Sequence, residues 1–293
     1  WPACVKAVRV MSDEDNQGKA YGFFEGMQSI AGAFTSLVAV GIFHWGTSGA
    51  GNEVLAMKFV ILFYSFVNIA MGIVAIFTVE DDKIVLEGEK VSFKGISKVL
   101  KNPAVWIICL VSFCNHVFCL SIYYYIPYVT DILGAAVAFG AMMGVLRKFG
   151  SIGGNIVGGY LADKFGTGKL MLLAYIVMLV GQISIFFVPV GAAGAIIVTV
   201  LFITILTFFH MNYAMAWTMM SEGAIPVEYC GTAAGLICTA GAIPETFISI
   251  FAGSLIDNHP GITGYRYFFI FLTIVIAIGL VLILIWKAYL KHA

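Results

Sequence analysis

The chain has 293 residues, 61% hydrophobic and 14% aromatic against 11% charged, and its mean hydropathy is +0.98. A soluble domain of this length could not hide so much apolar side chain from water, so the composition points to a bilayer. The 16 basic residues balance the 16 acidic ones, which excludes nucleic acid as a partner because no basic excess is left to neutralise phosphates.

The chain opens on Trp1-Pro2-Ala3-Cys4-Val5-Lys6, already apolar and without an initiator Met or a charged leader, and reads as lacking its true N-terminus. Residues 1–11 read as the end of a span that stops at the polar run Ser12 to Gln17, since a full crossing takes about 20 apolar residues. Apolar runs follow at 19–43 and 54–78, with a Gly-rich turn predicted from His44 to Glu53. Glu80 to Lys101 is the strongly charged segment, where Lys83, Lys90, Lys94, Lys98 and Lys101 interleave with acids and apolar residues. It is expected to be a linker, part of it an amphipathic helix lying on the membrane surface. After Pro103 come six further runs, 104–127, 135–162, 169–189, 193–220, 231–254 and 267–287. The expected fold is an all-α polytopic membrane protein with eight complete spans and one partial span.

Orientation follows from the basic residues. Lys6, Arg9, Lys19, the linker lysines, Lys164, Lys169, Lys287 and Lys291 fall on one side if successive spans alternate, against Arg266 and Lys58 on the other. The excess places the linker and the C-terminus in the cytoplasm, with the chain in the inner or plasma membrane.

Six cysteines are scattered through the chain. Cys109, Cys114 and Cys119 recur every five residues in an apolar run, with no CxxC or Cys/His ligand spacing, and read as small buried apolar side chains. No cofactor and no metal is implied.

Small residues recur before the break at 159–169, at Gly140, Gly144, Ser151, Gly154 and Gly158, and are expected to share one helix face that lets another helix approach closely. The break itself reads Gly159-Tyr160-Leu161-Ala162-Asp163-Lys164-Phe165-Gly166-Thr167-Gly168-Lys169, a short polar loop in which Gly166 and Gly168 permit a tight reversal. It reads either as a simple solvated turn or as a signature.

As a signature it resembles motif A of the major facilitator superfamily, Gly-x-Leu-Ala-Asp-Arg/Lys-x-Gly followed by basic residues. The match falls at Gly159, Leu161, Ala162, Asp163, Lys164 and Gly166, and the departure at Thr167 and Gly168, with Lys169 one step late. The resemblance implies two six-helix bundles joined by a linker. Residues 1–78 would be the remnant of the N-terminal bundle (the end of helix 4, then helices 5 and 6), 79–103 the cytoplasmic linker, and 104–293 the C-terminal bundle of helices 7 to 12. A weak internal repeat accords with this: Gln17 to Gly22 after Met11-Ser12 echoes Cys230 to Gly235 after Met220-Ser221. The resemblance also implies gating by Gly159, Asp163, Lys164 and Gly166, with Asp163 latching one state by pairing with a neighbouring helix N-terminus or a base.

Trp1-Pro2-Ala3-Cys4, Asn102-Pro103-Ala104-Val105-Trp106 and Tyr124-Tyr125-Ile126-Pro127-Tyr128-Val129 are similar to segments of the organophosphate/anion:cation symporter branch. Sugar-phosphate antiporters of that branch carry an arginine in helix 7 about two turns before the proline. Here that place holds Cys119, and no Arg or Lys lies between Val105 and Pro127, which points towards a less charged anion.

The chemistry must come from polar groups inside the apolar runs, where they are costly and usually face a cavity. Arg147 and Lys148 lie mid-run, with Arg147 on the face of Gly144, Ser151 and Gly154; a guanidinium there would bind a carboxylate, sulfonate or phosphate, or pair with an acid on another helix. Glu25 and Glu245 are expected inside helices, where burial suits a carboxyl to proton coupling or to pairing with Arg147. Pro244 before Glu245 favours a bend. His210, Tyr213 and Trp217 share one stripe, and His116 shares another with Cys119 and Tyr123, beside Asn115, Tyr124 and Tyr125. Asn115, His116, Tyr123, Tyr124, His210, Tyr213 and Trp217 are therefore candidate solute contacts, the bland alternatives being interhelical hydrogen bonds and an interfacial aromatic belt.

Two function classes follow. One is a secondary transporter of a small organic anion such as a carboxylate or sugar acid, coupled to a proton or ion, working as a monomer in the lipid bilayer by alternating access; within it a sugar-phosphate antiporter is the runner-up. The other is a polytopic membrane enzyme using His116 or His210, against which stands the lack of HExxH, Gly-x-Ser-x-Gly or a paired-acid constellation.

Overall fold

Backbone polar groups in a lipid solvent must be satisfied within their own segment, and the computed structural model is accordingly helical. It describes residues 1–13, 16–50, 53–78 and 93–292. The helices are α1 (Pro2–Met11), α2 (Gln17–Ala50), α3 (Glu53–Thr78), α4 (Phe93–Lys101), α5 (Pro103–Ser121), α6 (Val137–Phe165), α7 (Thr167–Ser184), α8 (Ala192–Met215), α9 (Cys230–Ala242), α10 (Ile248–Asn258) and α11 (Ile262–His292). Among the described residues, seven helical stretches are long and apolar enough to cross a membrane: 17–47, 53–78, 103–132, 167–187, 192–215, 227–258 and 262–291. The run 135–162 is not one of the seven, although α6 has 29 residues and is about 43 Å long at 1.5 Å per residue. Arg147, Lys148 and the glycines of α6 lower its apolarity.

The turn expected from His44 to Glu53 is helical through Ala50, and within it Thr47 Oγ1 donates back to Phe43 O at 3.1 Å. The linker residues 79–92, with Lys83 and Lys90, lie outside the described residues, and nothing is described of the Lys94 side chain. Their C-terminal neighbour α4 has Val99 buried, and Lys98 Nζ donates to Tyr229 Oη at 3.1 Å. That hydrogen bond, helped by the Glu228 charge, holds the Lys98 ammonium above the ordinary lysine value. So one face of the expected surface helix is docked on protein. Asn102 caps α5 by accepting from Ala104 N at 2.9 Å, with Pro103 in the first turn where its missing N–H costs nothing.

The chain divides into two compact units, Trp1–Gly26 with Gly88–Ala293, and Met27–Glu87. In the larger, α5 packs on α9 and α11, α8 packs on α6 and α7, and α1 packs on α9. An aromatic core knits it, with Tyr125 5.0 Å from Phe202 and 5.1 Å from Phe269, and Phe118 5.0 Å from Phe209. In the smaller, a Cβ at Gly46 would stand 2.8 Å from Ala56, and Trp45 meets Phe59 at 5.9 Å. Thr35, Ser36, Ser65 and Asn68 all return their polar groups to carbonyls of the preceding turn, which is how a polar side chain survives on a helix in hydrocarbon.

Two helices break where the sequence says they must. α5 loosens through Ile122–Ile132 into 3-10 and π turns around Pro127. Past Ala242 the chain passes through a 3-10 turn, Ile243–Thr246, at Pro244, the expected bend.

Candidate functional site

The small residues expected on one face of α6 meet more than one neighbour along its length. A Cβ at Gly150, Gly154 or Gly158 would meet α8, with Gly158 3.0 Å from Met211 Cα and Gly154 2.9 Å from His210 Cβ. Gly159 instead meets α2: a Cβ there would stand 2.5 Å from Gly18 O and 3.0 Å from Gly22 Cα. Gly140 faces a third neighbour, Thr130, at 3.0 Å. A helix that must approach two others closely needs glycine on more than one side, because a single stripe spans only one contact.

The stretch expected to be a polar loop is helical through Phe165, and only Gly166, at φ +88°, makes the reversal. Gly168 lies inside α7, where a Cβ would be 3.4 Å from Lys287 Cγ. Helix is favoured up to Phe165 because its last turns are packed on α2. There Asp163 Oδ1 accepts from Gly18 N at 2.8 Å and Oδ2 from Lys19 N at 2.9 Å. These are orphan N–H groups of the first turn of α2, at the positive end of its dipole. A side chain at Gly18 would collide with the Asp163 carboxylate. Lys164 is exposed and sits over the Phe165 ring at 5.3 Å.

A second junction lies at α1. Arg9 Nη2 donates to Ile225 O at 2.6 Å, and the guanidinium also hydrogen-bonds Cys230. Ile225 follows Ala224, which holds a left-handed φ of +50°. Tyr21 Oη ties α2 to α1 by donating to Val5 O at 3.0 Å.

Midway along α6, the Arg147 guanidinium lies 4.6 Å from the ring centroid of Tyr123, whose ring is 59% exposed. Cys119, one turn before Tyr123, is within electrostatic reach of Arg147, Glu245 and Glu25. His210 feels the charges of both Arg147 and Lys148. Tyr213 is in reach of Glu25, Cys119 and Glu245, and its ring is 5.7 Å from that of His116. Glu25 is 4% exposed and takes a hydrogen bond from the Trp217 side chain. Groups scattered from residue 25 to residue 245 thus lie within electrostatic reach of Cys119, the place where a basic residue is lacking in α5, and Arg147 of α6 is one of them.

Other expected contacts are placed differently. Tyr124 meets Phe268 of α11 in a tilted ring contact at 4.9 Å and donates to Ser249 O at 3.4 Å. Asn115 accepts from Tyr175 Oη of α7 at 2.9 Å, a buried hydrogen bond between helices. Trp217 follows the end of α8 rather than riding on it, and His116 turns Nδ1 to Ser112 O at 3.1 Å. Glu245, expected buried inside a helix, is exposed in the Pro244 turn, because the proline removes the helix that would enclose it. Sequence reasoning missed the partners Tyr175 and Gln182; Gln182 bonds Tyr125 within the core. Their signal, polar side chains inside an apolar run, is present but does not say which helix they face.

Chemically, the arrangement offers one cation stacked on an open aromatic ring, a second beside it, two carboxyl groups of opposite exposure, and imidazole and phenol donors at the rim. Such a set carries the charge and hydrogen-bonding chemistry that recognition of a polar solute and proton transfer require.

Known proteins accord with this geometry. Residues 1–245 match the sequence model of the Major Facilitator Superfamily. The chain is 28% identical over 292 residues to the inner membrane protein YihN of Escherichia coli (strain K12), covering 92% of this chain and 65% of YihN. It is 25% identical over 278 residues to the inner membrane protein YqcE of the same organism, covering 91% and 64%; the chain thus spans about two thirds of the length of these relatives. Among solved structures, the transporter FucP in the outward conformation aligns with a TM-score of 0.71 at 15% identity, covering 99% of this chain and 72% of FucP. The proton:xylose symporter XylE aligns at 0.65 and 16%, covering 97% and 66%. These likenesses carry the fold, and they leave the membrane-enzyme reading without support. A helical chain with Asp163 bonded to the start of α2, matched along 245 of its residues, belongs to the major facilitator superfamily.

Proposed function

We propose that the chain is part of a secondary active transporter of the inner membrane that carries a small organic anion, a carboxylate or sugar acid, by alternating access with proton coupling. The observation that carries this reading is Arg147, lying over the Tyr123 ring and within electrostatic reach of Cys119 and His210. A guanidinium keeps its charge at any physiological pH and binds a carboxylate through two parallel hydrogen bonds, so Arg147 is the anion contact and Lys148 its reinforcement. Tyr123, His210 and Tyr213 supply stacking and hydrogen bonds to the rest of the solute, and Glu25 is the proton-coupling carboxyl.

In this reading α6 is the eighth complete crossing and α1 the end of a ninth. Residues 1–78 belong to one bundle and 104–293 to the other, joined by a cytoplasmic linker. The bonds from Asp163 to α2 and from Arg9 to Ile225 then hold the cytoplasmic side shut. A sugar phosphate is the second reading, favoured by Arg147 and Lys148 lying together.

The test is uptake into proteoliposomes by the full-length protein, using labelled gluconate, glucuronate, lactate and glucose 6-phosphate with xylose as the neutral control, with and without an inward proton gradient. At least one acid is expected to outrun xylose, and Arg147→Ala to raise its half-saturation concentration at least tenfold, about 1.4 kcal/mol of binding. An unchanged half-saturation concentration in Arg147→Ala overturns the assignment.

A further inference from the structure

Between α5, α9 and the turn after α8 lies a cavity walled by Ser112, Asn115, His116, Tyr213 and Trp217. Its volume, about 10 Å³, is that needed to seat one water. Asn115 is 2% exposed; its Oδ1 is taken by Tyr175, while its Nδ2 has no partner among the described residues. A buried amide donor left over at a water-sized cavity is what an internal water satisfies.

The cavity also fixes the chemistry of His116. Its Nδ1 is 3.1 Å from Ser112 O, and a carbonyl oxygen only accepts, so Nδ1 carries the hydrogen and Nε2 holds the lone pair. The ring is confined by Tyr213 and by Gly241, where a Cβ would stand 2.9 Å from Nδ1. Another wall residue, Trp217, is the one that hydrogen-bonds Glu25. One indole therefore touches both the cavity that holds His116 and the enclosed carboxyl.

We propose that this cavity is the relay by which the coupling proton passes from Glu25 on α2 to His116 on α5, an inference that rests on the transporter reading above. With the indole of Trp217 drawn aside, protonated Glu25 gives its proton to a water held by Asn115 while that water gives one to His116 Nε2. Glu25 is left as carboxylate, His116 as imidazolium and the water unchanged. The ionisable groups around the relay are Cys119 on α5, Tyr213 and His210 on α8, Cys238 on α9, Glu245 in the Pro244 turn, and Arg147 and Lys148 on α6. Of the two carboxyls, Glu245 is exposed in the Pro244 turn, whereas Glu25 is enclosed and needs a carrier. Trp217 is a positioning residue, holding Glu25 against the cavity wall.

In full-length proteoliposomes, with whichever of gluconate, glucuronate or lactate the wild type accumulates, His116→Gln is expected to keep equilibrium exchange and to lose gradient-driven accumulation at least tenfold. Trp217→Phe is expected to lose it several-fold. Accumulation at the wild-type level in His116→Gln overturns the relay; should that variant fail to give monodisperse protein, the same split is read from Trp217→Phe. A substrate-free measurement stands beside it: in protein labelled with ¹⁵N in its histidine rings, the resonance lost in His116→Gln should report the Nδ1–H tautomer and move in Glu25→Gln. An Nε2–H tautomer, or indifference to Glu25→Gln, also overturns the relay. If the wild type moves none of the acids, the transporter reading fails, and the tautomer and its response to Glu25 still decide this inference.

Discussion

Two junctions hold the same chain by opposite means. Where α2 starts on α6, backbone meets backbone across Gly18, Gly22 and Gly159, and the Asp163 carboxylate accepts two N–H groups at 2.8 and 2.9 Å. Where α1 meets α9, the work falls to one long side chain, with Arg9 reaching the carbonyl of Ile225 and Cys230, and the glycine there, Gly231, faces only Lys6 Cδ at 3.8 Å. The two segments that echo each other in sequence, Gln17 to Gly22 and Cys230 to Gly235, therefore do different jobs. Glycine-to-glycine contact is rigid and intolerant of any added atom, whereas a guanidinium tethered by a flexible stem tolerates displacement.

The comparison can be broken most sharply at Gly159. A Leu there places its Cβ against the α2 backbone, which has nowhere to move, and is expected to cost about 3 kcal/mol, read as a lowered unfolding temperature in detergent; Gly235→Leu, with nothing near it, should leave that temperature unchanged. Next comes Asp163→Ala, which leaves two N–H groups without their charged acceptor. It should weaken the junction by about 2 kcal/mol and speed hydrogen exchange at the amides of Gly18 and Lys19, while Asp163→Asn recovers part of the protection.

Gly166→Ala is expected to cost about 1–2 kcal/mol, because φ +88° is strained for any residue with a Cβ. Arg9→Met should cost about 1 kcal/mol and show itself as faster exchange around Ile225, a smaller effect than at Asp163 because one backbone carbonyl, rather than two backbone N–H groups, loses its charged partner. Smallest of all is Gly168→Ala, inside α7 and in ordinary contact with Lys287, which should stay within about 0.5 kcal/mol of wild type or gain slightly from helix propensity. Equal losses at Gly166 and Gly168 would restore the loop reading of this stretch.

Much of the fold is legible in the residues themselves. Apolar runs of crossing length locate the helices, and Pro103, Pro127 and Pro244 mark the start of α5, its irregular end and the break after α9, since proline removes a donor wherever it stands. Helix ends in polar stretches are harder to read. His44 to Ala50 and Gly159 to Phe165 look like turns by composition, yet both are helical, the second because α2 covers it.

The candidate site was legible as a list and not as a place. Arg147, Glu25, His116, His210 and Tyr213 stand out because an ionisable or polar group inside an apolar run is costly enough to need a reason. Nothing in their spacing says that Arg147 would lie on Tyr123, that Trp217 would hold Glu25, or that Asn115 and Tyr124 would be spent on Tyr175 and on the α10–α11 packing.

What the sequence alone determined is which segments cross a bilayer and which residues cannot be there merely to fill it, because transfer cost is a property of each residue. Which of those residues face one another was decided only by the tertiary structure. Contact between helices depends on where glycine lets two backbones close, and on α6 the glycines open more than one side at once.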